Sequence, residues 1–161
     1  MKKLFLILLI ILLVGCATFP NRNKDDLRID KILLSNKEPE EYGDYERQKI
    51  FEHSQIFWVY AEVNNLTTKH IDEGDRINVV GYIIIKDSNN NIMASGLVLD
   101  YEGLIKVRLN PDEIYFTQRL YVPEETIEGK YILQLEIIDE YTNEIAIAIT
   151  MFRVKNKIVY I

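Results

Sequence analysis

Short runs with an apolar residue at every second position, separated by turn residues, limit most strongly how this chain can fold. In the clearest run the odd positions from Tyr131 to Ile137 are apolar, whereas Gln134 and Glu136 lie between them. A period of two places alternate side chains on opposite faces of a strand, so the run predicts a strand with one face in a core. Helical spacing is hard to find, and we therefore expect an all-β fold.

The same pattern predicts seven to nine strands at spacings near a dozen residues. The apolar runs lie at 27–33, 57–63, 76–86, 92–99, 105–109, 114–122, 131–137 and 145–154. Asp87 to Asn90 joins two of these runs as a hairpin turn would, and a polar segment spans 35–46. Short strands of this spacing are typical of an antiparallel β-sandwich, which we expect over residues 27–161.

The N-terminus has the features of an export signal. Lys2 and Lys3 precede an apolar run of eleven residues, 4–14. A helix that crosses the bilayer needs about twenty apolar residues, so this run is too short and predicts a signal peptide over 1–15 that is cleaved. Residues 16–26 carry Pro20 and no apolar periodicity, which predicts an exposed tether.

The residues at the predicted cleavage site, LVGC at 13–16, resemble the lipobox of bacterial lipoproteins. The resemblance implies that a diacylglycerol is joined to Cys16, that cleavage follows Gly15, and that the new amino group is open to acylation. It also implies a bacterial envelope protein held in the bilayer by its acyl chains, at the periplasmic face or the cell surface, and Ala17 is compatible with the outer membrane. The alternatives are a secretory signal with an incidental cysteine or an uncleaved anchor.

Net charge and tether length limit the classes of partner that this protein can bind. Without residues 1–15 the chain keeps 17 basic and 25 acidic side chains, a formal charge of −8. That sign repels phosphate backbones, so we expect no nucleic-acid partner. A ten-residue tether reaches about 35 Å when extended, which keeps the domain and its partners near the membrane.

Near the C-terminus the chain resembles bacterial immunoglobulin-like and fibronectin-III-like domains. The resemblance rests on LYVP at 120–123, GKY at 129–131, Asp139 and FRV at 152–154, and it covers about 35 residues. It implies a sandwich in which Tyr131 is buried and its hydroxyl bonds to backbone, although the cysteine and tryptophan hallmarks of antibody domains are absent. Such folds host many unrelated functions.

No residue pattern predicts catalysis. His53 and His70 lack further ligands at metal-binding spacing, and no serine lies in a nucleophile elbow. Asp87, Asn89 and Asn91 have the spacing of a calcium loop, but the required glycine and glutamate are absent, which favours a simple turn. Acidic clusters at 72–75 and 124–128 are read as solvated. We therefore predict a protein that is not an enzyme and has neither metal nor cofactor.

Two strands carry apolar residues on both faces. The predicted outward set is Val80, Tyr82, Ile84, Ile132 and Ile138. If their strands share a sheet, these residues form one apolar patch, and exposed apolar patches usually mark contact sites. The sequence thus predicts an interface with another envelope protein. The alternative is that a connecting segment covers the patch or that a bulge shifts the alternation.

Trp58 and Tyr60 lie on another predicted strand, and they too are either exposed contact residues or covered by another segment. Exposed aromatic side chains could stack on a sugar or anchor a peptide, which gives a second hypothesis of a glycan- or peptide-binding module. The alternative is that both pack beneath the segment 35–46.

Overall fold

A computed structural model of the protein describes residues 26–41, 43, 45–105 and 113–156. These residues form nine strands and no helix, so the expectation of an all-β fold is confirmed, as is the predicted number of strands. The strands are β1 (Arg28–Ser35), β2 (Ile50–Glu52), β3 (Ile56–Asn64), β4 (Lys69–Ile71), β5 (Gly74–Asp87), β6 (Ile92–Ile105), β7 (Glu113–Tyr121), β8 (Gly129–Asp139) and β9 (Glu144–Lys155).

The strands form two sheets. Sheet A has three strands in the order β1-β3-β7. Sheet B has six and runs β2-β9-β8-β5-β4, with β6 also paired to β5, and it curls into a half-barrel. β1 lies beside β9, which brings the two sheets together along that side. The result is a β-sandwich with its core between the sheets.

Three features differ from the sequence-based expectation. The pairing of β2 with β9 is parallel, so the sandwich is not wholly antiparallel. β2 and β4 are three residues long, too short for an apolar alternation to reveal them. Ile105 ends β6 instead of beginning another strand, and the rest of that predicted strand lies outside the described residues. The predicted signal peptide and residues 16–25 of the tether, which include Cys16, also lie outside the described residues.

Aromatic packing joins the sheets at the end where β2 meets β9. The rings of Phe51 and Phe57 stack with centroids 4.4 Å apart, and Phe152 lies 5.5 Å from Phe57. Tyr131 stacks on Phe152 at 5.5 Å, and its hydroxyl donates a 2.6 Å hydrogen bond to the carbonyl oxygen of Ile127. Tyr131 is thus buried and bonded to backbone, as the family resemblance implies. Burial raises the pKa of the Tyr131 hydroxyl.

Candidate functional site

The outward side of sheet B carries a group of exposed apolar residues and is called the outer face here. It comprises Val80, Tyr82 and Ile84 of β5, Leu97 of β6, Ile132 and Ile138 of β8, and Ile145, Ile147, Ile149 and Met151 of β9. Alternate residues of the same strands, such as Ile83 and Ile137, face the core. Both sides of this sheet therefore carry apolar residues, and within the described part of the chain a second sheet lies against only one of them.

The structure brings the five predicted interface residues onto this face. Val80 pairs directly with Ile138 across β5 and β8, and Ile84 and Tyr82 lie further along β5. Ile132 lies opposite Lys86 near the other end of the pairing. Tyr82 is 38% exposed, whereas the four isoleucine and valine side chains are half-buried by their neighbours. The condition on which the predicted patch depends, that the two strands share a sheet, is thus met.

A row on β9 extends the outer face, and the sequence analysis missed it. Ile145, Ile147, Ile149 and Met151 are between 50% and 61% exposed. Ile145 pairs with Ile138, and Met151 pairs with Ile132, so the row is continuous with the predicted residues. The available signal was the unbroken apolar sequence at 145–149, which leaves no polar face for solvent.

A polar line crosses the middle of the outer face. Lys86 Nζ donates to Gln134 Oε1 at 2.9 Å, and Gln134 Nε2 donates to Glu136 Oε1 at 2.6 Å. On β9 the neighbours of Gln134 and Glu136 are Ile149 and Ile147. The face therefore combines apolar flanks with a fixed pattern of charge and hydrogen-bonding groups.

Local register maintains the outward direction of these residues. The β5–β8 pairing runs without a shift from Val79 to Asp87, whereas the β5–β6 pairing has a bulge at Gly81 and Tyr82. A Cβ atom at Gly81 would lie 3.0 Å from side-chain atoms of Ile137 and Leu99, so glycine lets the strands approach there. The bulge alters β6 but leaves the alternation along β5 and β8 intact.

Trp58 and Tyr60 do not form an exposed aromatic pair. Tyr60 is fully buried, and its hydroxyl donates to Glu62 Oε1 at 2.9 Å and accepts from the Gly43 amide at 2.9 Å. The segment after β1 thus packs over Tyr60, which corrects its assignment as an accessible ligand-binding residue. Trp58 is half-buried and lies opposite Arg119 in the β3–β7 pairing.

Glu62 is the buried member of a half-buried ion pair in this region. Its Oε1 atom lies 2.9 Å from Lys31 Nζ, and Glu62 is 5% exposed. Hydrogen bonds to Tyr45 and Glu62 raise the pKa of Lys31. Each polar group here has a partner within the fold, so the arrangement fastens the segment after β1 to sheet A.

The remaining sequence candidates have structural roles. Asp87 Oδ1 accepts from the amides of Asn89 and Asn91 at 2.8 and 2.9 Å, which makes the calcium-like spacing a capped hairpin turn. His53 Nε2 lies 2.7 Å from the carbonyl oxygen of Thr126, and His70 Nδ1 lies 2.9 Å from Asp75 Oδ1. No group of three metal-ligating side chains occurs among the described residues. Within the same residues, no helix is long and apolar enough to cross a membrane.

Comparison with known proteins relates the fold to solved structures. No family model and no curated protein matches the chain. The C-terminal domain of wzt is 12% identical with a TM-score of 0.52, over 82% of this chain and 75% of that one. The alkylpurine DNA glycosylase AlkC of Pseudomonas fluorescens is 7% identical with a TM-score of 0.49, over 81% of this chain and 30% of that one.

An immunoglobulin-like protein of Pseudomonas aeruginosa is also among the similar structures. It is 10% identical with a TM-score of 0.44, over 81% of this chain and 97% of that one. At these identities, the likeness to the wzt domain supports the β-sandwich fold alone.

Proposed function

We propose that this protein is a bacterial envelope lipoprotein without enzymatic activity, whose domain binds another envelope protein through the outer face of sheet B. The observation that carries the proposal is the exposure of an unbroken apolar row on β9. Ile145, Ile147, Ile149 and Met151 are each at least half exposed and adjoin the residues of β8 and β5. Monomeric soluble proteins rarely expose large contiguous apolar patches, and such patches usually mark interaction sites.

The proposed domain class is immunoglobulin-like. In that fold one sheet contains strands A, B and E and the other contains C, F and G. Taking β1, β3, β5, β7, β8 and β9 as A, B, C, E, F and G gives both sets in the observed sheets. The hydrogen bond from the Tyr131 hydroxyl to Ile127 supports the same class, because it corresponds to the tyrosine corner of strand F.

The outer face favours a protein partner over a glycan. The glycan- or peptide-binding hypothesis needed accessible aromatic side chains around Trp58, and Tyr60 is fully buried. Polar groups that could orient a sugar are already bonded within the fold, as Tyr60 is to Glu62. On the outer face, by contrast, apolar side chains flank a charged line, which a partner protein can match with its own apolar and polar groups.

Site-specific photocrosslinking in intact cells tests the proposed interface. A photoreactive amino acid at Ile147 should give an adduct of defined mass with one envelope protein. The matched control places it at Arg119, an exposed residue of sheet A. Adding Ile149→Asp should reduce the Ile147 adduct several-fold without unfolding the domain, because Ile149 is 60% exposed. Equal adducts at both positions, or adducts with a second copy of this chain only, would contradict the proposal.

Metabolic labelling tests the proposed anchor separately. Cells grown with an alkyne-bearing fatty acid should label the protein, and Cys16→Ala should abolish the label and move the protein out of the membrane fraction. Cys16 is the chain's one cysteine, so no second thiol can accept the lipid. Continued labelling of Cys16→Ala would contradict lipidation at this residue, while leaving the interface proposal open to its own test.

A further inference from the structure

A cavity of about 310 Å³ lies between the two sheets. Sheet A contributes residues of β3 and β7, and sheet B contributes residues of β5, β6 and β8. The described lining residues include Val79, Leu99, Tyr101, Leu104, Tyr115 and Ile137. The cavity is thus separated from the outer face by the thickness of sheet B.

Among the described lining residues, few offer a polar group to a ligand. Tyr101 and Tyr115 are the two of these residues whose side chains contain oxygen. The Tyr101 hydroxyl lies 3.5 Å from the carbonyl oxygen of Leu104, and the Tyr115 hydroxyl lies 3.4 Å from that of Glu40. Ordered water requires two to four polar partners, so a lining of this kind favours apolar ligands over water.

The volume indicates the size of the occupant. An apolar cavity of about 150 Å³ accommodates benzene, so one of twice that volume accommodates roughly a dozen carbon atoms. Protein interiors are close-packed, and a void of this size within a small domain is costly when empty. An occupant that restores those van der Waals contacts is therefore stabilised without any hydrogen bond.

The cavity also has a route to solvent. Two lining residues, Tyr101 and Leu104, are 43% and 37% exposed and lie on β6, the strand of sheet B away from β8. A ligand with one polar end can insert its apolar part between the sheets and leave the polar end at this rim. The apolar interior disfavours the polar end, because the described lining supplies no free partner for it.

We infer that the cavity between the sheets binds a single hydrocarbon chain of about a dozen carbons, as a fatty acid or one chain of a membrane lipid supplies. The chain lies between β5 and β7, and its polar group stays at the rim near Tyr101 and Leu104. This site is independent of the proposed protein interface, which lies on the opposite side of sheet B.

Photolabelling of the full chain in membranes tests the inference. One arm uses a fatty acid with a diazirine near the end of its chain, and the other uses a phospholipid carrying the same group. Irradiation should place adducts on cavity residues such as Val79 and Ile137, as located by tandem mass spectrometry. An excess of unlabelled dodecanoate should remove them. Labelling in the first arm alone identifies a free fatty acid as the source, and labelling in the second arm identifies a bilayer lipid.

Two substitutions on one strand provide the matched comparison. Leu99 lines the cavity and Leu97 lies on the outer face, so Leu99→Trp should remove most cavity adducts and Leu97→Trp should retain them. If Leu99→Trp fails to fold, Leu104→Trp at the exposed rim takes its place. Absence of cavity adducts from the wild-type protein in both arms, adducts that dodecanoate does not compete away, or equal effects of the two tryptophans would overturn the inference.

Discussion

Asp139 connects two loops through a buried carboxylate, and Asp139→Ala should destabilise the domain strongly. The residue is 1% exposed at the end of β8. Its Oδ2 atom accepts a 2.6 Å hydrogen bond from the Thr67 amide, and its Oδ1 atom accepts one of 2.9 Å from the Tyr141 amide. One carboxylate therefore holds both the turn between β8 and β9 and the loop after β3.

The size of the loss follows from these two bonds. A hydrogen bond to a charged group contributes about 1.5–3 kcal/mol when its removal leaves the donor without a partner. Thr67 and Tyr141 are half-buried, so water can replace part of each bond, and the lower value is appropriate. We expect Asp139→Ala to cost about 3 kcal/mol. Asp139→Asn keeps the shape and one oxygen acceptor, and should cost about half as much.

Equilibrium unfolding in urea measures this loss. The fluorescence of Trp58, the chain's one tryptophan, follows the transition, and Glu140→Ala is the control. Glu140 is exposed and adjacent, so its removal should change the free energy of unfolding by no more than about 0.5 kcal/mol. Hydrogen exchange of the Thr67 amide should accelerate in Asp139→Ala. A loss below about 1 kcal/mol, or an unchanged Thr67 amide, would refute the reasoning, because it would mean that water replaces the carboxylate fully.

Two further predictions concern groups with shifted pKa values. Tyr131→Phe removes the hydrogen bond to Ile127 and should cost about 1 kcal/mol near neutral pH. The pKa of Tyr131 in the folded state lies above its usual 10.0, so the folded state holds the hydroxyl proton more tightly than the unfolded state does. The stability of the wild type therefore falls as pH rises above 10.0. Urea unfolding at several pH values should show that the difference in stability between the wild type and Tyr131→Phe shrinks above pH 10.0. The side-chain hydrogen bond from Asn91 lowers the pKa of Asp87 below 3.8, so the stabilising effect of this turn is present above pH 3.8 and is lost as pH falls through the folded pKa. An NMR titration should give an Asp87 midpoint below 3.8 that rises in Asn91→Ala, and an unchanged midpoint would contradict the assigned cause.

For β5 and β8, the sequence predicted which face of each strand points outward, because the alternation along the strand matches the burial that the fold gives its residues. In β8 the polar residues Gln134 and Glu136 mark the outward side, so the core side follows from the sequence alone. In β9 successive residues such as Ala146 and Ile147 are both apolar, and composition cannot say which faces the core. Pairing decides it, since Ile147 lies opposite outward-facing Glu136.

The burial of Tyr60 and the cavity depend on distant parts of the chain. Tyr60 reads as a candidate contact residue because β3 is apolar on both faces, yet the Gly43 amide binds its hydroxyl from a segment 17 residues away. A cavity arises where side chains from facing strands fail to fill the space between them. Periodicity identifies Val79 and Phe116 as inward or outward residues, but it carries no measure of the volume between them.

In these two proposals, alternate residues of the same strands of sheet B form the outer face on one side and line the cavity on the other. The bulge in β6 places Leu97 opposite outward-facing Tyr82 and Leu99 opposite Gly81, against the cavity. Because of the bulge, the side chains of Leu97 and Leu99 point to opposite sides of the sheet. Substitutions at these two positions should therefore separate protein binding from lipid labelling. If Leu99→Trp also weakened the crosslink from Ile147, filling the cavity would be moving the strands of sheet B, and the two sites would be thermodynamically coupled. Reciprocity then requires that binding of the protein partner change the affinity for the hydrocarbon chain by the same factor.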